Sequence, residues 1–120
     1  MSKVAIIMGS KSDLEIMSKA EAFLTDQGIE SSVIVASAHR TPEKVHEIAQ
    51  QIETDYDIVI AGAGMAAHLP GVLAGLVTKP VIGVPINASP LNGMDALLAI
   101  VQMPSGIPVA TVAVNGSKNA

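Results

Sequence analysis

The sequence predicts an α/β protein of three layers, a parallel sheet between two layers of helices, on the strength of three observations. Five short runs rich in β-branched apolar residues and poor in charge recur along the 120 residues, as expected of strands buried on both faces. Between the first of these runs lie segments whose apolar residues recur at helical spacing. Strand and helix alternate, which implies right-handed βαβ crossovers and a parallel sheet of flavodoxin-like or Rossmann-like type.

VAIIM, at 4–8, is the first strand, and MGSKSDLEIM, at 8–17, is the loop that leaves it. Gly9 lets the backbone turn tightly, Ser10 and Ser12 offer hydroxyls, and the free N–H groups of a helix start favour an anion. Neither G-x-G-x-x-G nor G-x-x-x-x-G-K-[ST] is present, and plain capping of the helix by Ser12 or Asp13 reads the same residues without a ligand. A helix is expected over 12–27, where Leu14, Met17, Ala20 and Leu24 keep helical spacing, Asp13 sits in the first turn and Gly28 marks the stop. SSVIV, at 31–35, is the second strand and opens into SAHRTP. Arg40 supplies a planar, permanently charged fork suited to phosphate or carboxylate, and the imidazole of His39 gives and takes protons near neutrality. The next helix is expected over 41–54, with Val45, Ile48, Ala49 and Ile52 on one face, Thr41 as N-cap and Pro42 at the first helical position.

YDIVIA, at 56–61, is the third strand and AGAGMAAHLPG, at 61–71, its loop. Gly62, Ala63 and Gly64 allow a ligand to approach the backbone, and His68 falls in the first turn of the following helix. VIGVP, at 81–85, and PVATVAV, at 108–114, are the fourth and fifth strands. Between them Gly93, Met94, Leu97, Leu98, Ile100, Val101 and Met103 make an apolar segment of the kind found in a core or a subunit interface. The loops at the carboxyl ends of doubly wound strands share one rim, so Ser10, Asp13, His39, Arg40, Gly64 and His68 are expected to line one pocket. His46 lies on the polar side of its helix and reads as solvated.

Composition narrows the partners. The chain is 49% hydrophobic and 15% charged, with a mean hydropathy of +0.47, so part of its apolar surface is expected to meet another subunit. Gly, Pro or a charge interrupts every apolar run before the roughly 20 residues a membrane span needs. A net charge of -4, one Tyr and one Phe argue against nucleic acid, which wants basic stripes and stacking rings. Without cysteine there are no disulfides, thiolate nucleophiles or thiolate metal sites. MSKVAIIMGSKSD reads as a strand and loop in place of a leader, so the expected compartment is the cytoplasm. The length suits one domain, 1–120, and the expected partner is a small molecule.

MGSKSD, SAHRTP, AGAGMAAHLPG, KPVIGVP and LLAIVQMPSGIPVATVAV, taken in that order and spacing, resemble the PurE family along essentially the whole chain. AAHLPG and QMPSGIPVAT are most similar to its class I branch, the N5-carboxyaminoimidazole ribonucleotide mutases of purine synthesis, and depart from the animal-type carboxylases. Two differences stand out. Leu14 replaces a Trp found in many members, and members continue past ATVAV through a helix that packs across subunits, of which NGSKNA reads as the start; the chain is expected to lack it.

The resemblance implies a reaction that moves a carboxyl group from the exocyclic amine of aminoimidazole ribonucleotide to the neighbouring ring carbon. His39 would then act as general acid and general base. Ser10, Ser12, Ser37, Ala38 and Arg40 would surround the 5′-phosphate end, and Asp13 would accept from the ribose hydroxyls. Ala63 and Gly64, with His68 and Leu69, would enclose the carboxylate. The resemblance implies no metal, no cofactor and a homo-octamer. Three other readings share the phosphate loops: a carboxylase that takes free CO2, a relative that carboxylates a different ring, such as the nicotinate-derived cofactor enzyme of lactate racemisation, and a non-catalytic nucleotide-binding module with no use for His39.

Overall fold

The computed structural model describes residues 2–120. Among them the strands are β1 (Lys3–Met8), β2 (Glu30–Val35), β3 (Ile58–Gly64), β4 (Val81–Ile86) and β5 (Ala110–Thr111), and the helices are α1 (Leu14–Asp26), α2 (Pro42–Asp55), α3 (Leu69–Ala74) and α4 (Met94–Val101). The strands form one sheet in the order β2-β1-β3-β4-β5, every pair parallel. This is the flavodoxin-like order, and the chain reverses its direction of winding between β1 and β3.

Alternate residues of the central strands feed two cores. Ala5, Ile7, Val59, Ala61 and Ala63 face one side, where Val45, Ile48 and Ile52 of α2, Leu69 and Leu73 of α3 and Ile100 of α4 pack on them. Val4, Ile6, Met8, Ile60, Val84 and Ile86 face the other, covered by Met17 and Ala20 of α1. Burial on both sides explains why these strands read as continuous apolar runs instead of alternating ones. The middle of the sheet is kept thin by small residues. A Cβ on Gly83 would stand 2.6 Å from Ile100 Cγ2 and 3.0 Å from Val109 Cγ1, so α4 rests almost directly on the β4 backbone.

Several boundaries differ from the expected ones, each for a local reason. The third strand occupies 58–64 and not 56–61. Tyr56 closes α2, Asp57 turns back to Lys3, whose N–H reaches the Asp57 carboxylate at 2.9 Å, and the Ala-Gly run keeps pairing with β4 as far as Gly64↔Ile86. The fifth strand shrinks from 108–114 to Ala110–Thr111, because Pro108 has no N–H to give and Asn115, at a φ of 58°, turns the chain away. The first helix starts at Leu14 after a 3-10 turn over Lys11–Asp13, two residues later than expected. Asp13 occupies the position before α1 without a side-chain cap bond; the serine that caps is Ser10, whose Oγ accepts from the Ser12 N–H. Helix α4 buries Ala96 and Ile100 and leaves Met94, Leu98 and Val101 exposed. The NGSKNA segment forms a 3-10 turn over Ser117–Asn119, fastened by the buried Ser117 hydroxyl, which donates to the Ile16 carbonyl of α1 at 2.5 Å.

Candidate active site

The first three strands end on one rim, and the loops that leave them enclose a cleft of about 500 Å³ at the place where the winding reverses. From the first loop come Gly9, Ser10, Ser12 and Asp13; from the second, Ser37, Ala38, His39 and Arg40; from the third, Ala63, Gly64, Met65, Ala66, Ala67 and Leu69. Ala88, after β4, closes the far side. The levels of the first two loops are matched by the Ala36 N–H, which donates to the Met8 carbonyl at 2.8 Å and carries the β1–β2 ladder one step beyond the strands.

Each loop is stiffened by its own hydrogen bonds. In the first, the Ser10 and Ser12 hydroxyls lie 2.9 Å apart, and the Asp13 N–H donates to the Ser10 carbonyl at 3.1 Å. Asp13 is only 6% exposed. Burial pushes its carboxyl above the ordinary aspartate value, opposed by the backbone N–H of Ser10. In the second loop the Thr41 hydroxyl donates to the Ser37 carbonyl and accepts from the Ser37 N–H, both at 3.1 Å. The Thr41 N–H adds a bond to the same carbonyl at 2.9 Å, and the Arg40 N–H reaches Ser37 Oγ at 3.2 Å. Thr41 stands at the N-cap position of α2 but makes no cap bond to it. Its side chain closes the turn that holds His39 and Arg40, both exposed at the cleft.

Of the residues the sequence pointed to, Ser10, Ser12, Asp13, Ser37, Ala38, His39, Arg40, Ala63, Gly64 and Leu69 come together at the cleft. His68 is not among its lining residues. Its backbone is left-handed, at φ 56° and ψ 32°, and its ring folds over α3 against Gly71, where any Cβ would collide with the imidazole. Its Nδ1 is buried without a partner. His46 is exposed on α2. Met65, Ala66, Ala67 and Ala88 were not singled out in the sequence. The first three lie between chosen neighbours in one loop, and Ala88 follows from applying to the fourth strand the same rim rule used for the other three.

This arrangement can bind an anion with hydroxyls, loop N–H groups and Arg40, accept from a diol with Asp13, and move a proton with His39. The chain matches the AIR carboxylase family over residues 3–120. It is 59% identical, over 100% of its length and 70% of the relative's, to the N5-carboxyaminoimidazole ribonucleotide mutase of Pyrococcus abyssi, and 53% identical, over 100% and 71%, to that of Thermotoga maritima. Its fold superposes on the crystal structure of Treponema denticola PurE with a TM-score of 0.90 at 33% identity, covering 100% of this chain and 75% of that one.

Two expectations follow from the loop chemistry. Thr41→Val keeps the shape of the side chain but removes both hydroxyl bonds. It should destabilise the fold by about 1 kcal/mol and speed hydrogen exchange at the Ser37 and Arg40 amides, whereas Thr41→Ser should stay near the wild type; equal protection in all three proteins would show that the hydroxyl does not hold the turn. The second concerns Asp13. Because its carboxyl is raised in the fold, the folded chain keeps a proton that the unfolded chain releases. Stability is therefore full below the ordinary aspartate value and declines as pH climbs through the folded value. Asp13→Asn abolishes that decline, so its urea midpoint should exceed the wild type's at neutral pH and converge with it in acid. Parallel pH profiles would contradict the assignment.

Proposed function

This chain belongs to the AIR carboxylase family, and on that premise we propose that it is an isomerase of purine synthesis that converts N5-carboxyaminoimidazole ribonucleotide into 4-carboxy-5-aminoimidazole ribonucleotide. The observation that carries the proposal is the cleft itself, in which His39 and Arg40 share one space with a wall of small residues from the third loop. The relatives named above as mutases match along the whole chain, which favours this reading over a carboxylase fed by free CO2 and over a binding module without chemistry.

In the scheme the 5′-phosphate takes hydrogen bonds from the Ser10, Ser12 and Ser37 hydroxyls and loop N–H groups, with the Arg40 guanidinium beside it; Ala38 contributes backbone to the same turn. The ribose hydroxyls donate to Asp13, which restores to that carboxylate part of the solvation it lost by burial. Protonated His39 gives its proton to the exocyclic nitrogen as the N–C bond breaks and CO2 departs. The ring carbon then attacks CO2 through its π electrons, and neutral His39 removes the proton from that carbon, returning to its starting state. No proton is gained or lost overall. Ala63 and Gly64, backed by Leu69, bound the small space in which CO2 must wait. Confinement turns its recapture into a unimolecular step. The scheme calls on no metal or cofactor.

Among the described residues no helix is long and apolar enough to cross a membrane. We place the reaction in the cytoplasm, where a phosphorylated substrate is retained. We further infer a homo-octamer with active sites near subunit junctions, supported by Leu91, Met94, Leu98 and Val101, which present apolar side chains outward.

The decisive experiment follows the carboxyl carbon. With carboxyl-labelled N5-carboxyaminoimidazole ribonucleotide and excess unlabelled bicarbonate, most label should appear in the early product, while His39→Asn should bind substrate with its turnover reduced by roughly a thousandfold or more. Dilution of the label to the solution level would overturn the mutase reading, and an active Asn variant would overturn the role of His39. Light scattering at micromolar concentration should return the mass of a closed oligomer; a monomer would refute the octamer.

A further inference from the structure

Four residues other than glycine hold a positive φ among the described residues: Met65 at 55°, His68 at 56°, and Asn92 and Asn115 at 58°. The two asparagines are suited to the left-handed region, where a short polar side chain can bond locally; Asn115 Oδ1 accepts from the Asn87 N–H at 2.9 Å. Met65 and His68 have no such excuse, and both stand in the short loop that walls the cleft after β3. Strain of this kind collects where function holds it.

Met65 carries a second cost. It is 58% exposed, so its thioether gains little from packing, and glycine at this place would satisfy the backbone better. What the fold does not reward must be rewarded elsewhere, and Met65 lines the cleft. The surrounding wall cannot do what its side chain can. Ala38, Ala63, Ala66, Ala67 and Ala88 end at Cβ, and Leu69 is 1% exposed, its side chain committed to the core. An unbranched, polarizable side chain with three rotatable bonds can fold across a gap and lie on a heteroaromatic ring.

We propose that Met65 is the containment residue of the site: when the nucleotide binds, its thioether closes over the imidazole and the CO2 space, keeping water out and slowing the escape of CO2. This rests on the mutase reading above and adds a residue that acts on retention of the intermediate, separate from the proton transfer at His39. The residue touches the bound ring and takes no proton, so its signature is the partition of CO2 between recapture and loss.

The test uses the full chain with methionine ε-methyl groups labelled with ¹³C, the Met65 signal being identified by its loss in Met65→Leu. Aminoimidazole ribonucleotide, the decarboxylated intermediate, is the probe. The Met65 signal should shift on its addition, as a methyl placed over an aromatic ring does. In the label-retention assay Met65→Gly should lose label to solution at least roughly threefold faster relative to recapture than the wild type, while Met65→Leu stays close to it. Met65→Gly should also unfold at a higher temperature, since the backbone strain is relieved. An unmoved methyl signal, or label retention in Met65→Gly equal to the wild type, overturns the proposal. So does a Met65→Gly protein whose assembly falls apart, because Met65 would then be covered by a second copy of the chain. Should the wild type itself retain no label, the mutase reading fails, and the methyl shift alone decides whether Met65 covers the bound nucleotide.

Discussion

Strand β1 is buried on both faces from Val4 to Met8, and the placement of every loop at the cleft descends from that fact. A strand with no face for solvent must lie inside a sheet covered by helices on both sides. Here it pairs with β2 from Lys3↔Glu30 to Met8↔Val35 and with β3 from Val4↔Ile58 to Met8↔Gly62. Since right-handed crossovers carry the chain to one face on the way to β2 and to the other layer on the return, the loops after β1 and β3 part and leave a crevice between them. Met8 is the last residue of β1, so Gly9 and Ser10 open directly into that crevice. The pairing register brings Ala36 level with the end of β1, which sets the height at which Ser37 through Arg40 turn.

Much of this was legible in the sequence because the signals were local. β-branched runs marked β1, β2 and β4, and Pro42 fixed the start of α2. SAHRTP paired two chemically demanding residues at a strand end, where a doubly wound sheet puts its ligands. Three features were not legible, and the reasons are physical. Gly62 through Gly64 lack β propensity, yet continue β3 because β4 lies alongside to pair with them; tertiary context outweighs propensity there. Thr41 fits an N-cap by type, but a hydroxyl bonds whichever groups the backbone brings near, and the turn at 38–40 brings those of Ser37. His68 looked like a pocket residue from its place in the loop. A left-handed backbone, which a histidine does not advertise in advance, swings its ring onto Gly71.

The rim is assembled less by packing than by short polar ties, most of them within a single loop and those of Asn115 joining parts of the chain far apart in sequence. Asn115 holds Asn87 by its side chain and donates its own N–H to the Pro85 carbonyl at 2.8 Å, which fixes the end of β4 beside Ala88. Ser89 donates to Asp95 at 2.9 Å and steadies the same loop from the α4 side. Ties of this sort suit a rim whose neighbours must meet a polar ligand. An apolar contact would be as strong, but it would bring bulk into the space the ligand needs, whereas a backbone-directed hydrogen bond occupies little of it.

A chain whose levels agree folds to one state, and departures from agreement mark places where selection acted on something besides stability. In the sheet agreement is nearly complete: both faces of its central strands are covered, and small residues sit where helices press closest, while α4 keeps Met94, Leu98 and Val101 outward. The departures gather at one end. Asp13 is buried as a carboxyl that water would have stabilised, His68 Nδ1 lacks a partner, and Met65 and His68 hold left-handed backbone, all in loops leaving β1 and β3. Within the folded chain the Ser10 backbone offsets only part of the first of these costs. A bound nucleotide would repay at least one of them, since ribose hydroxyls satisfy a buried carboxylate. The energy withheld from the fold at these positions is thus available to binding, which is how a small domain can keep a stable scaffold and still prefer the state with its ligand in place.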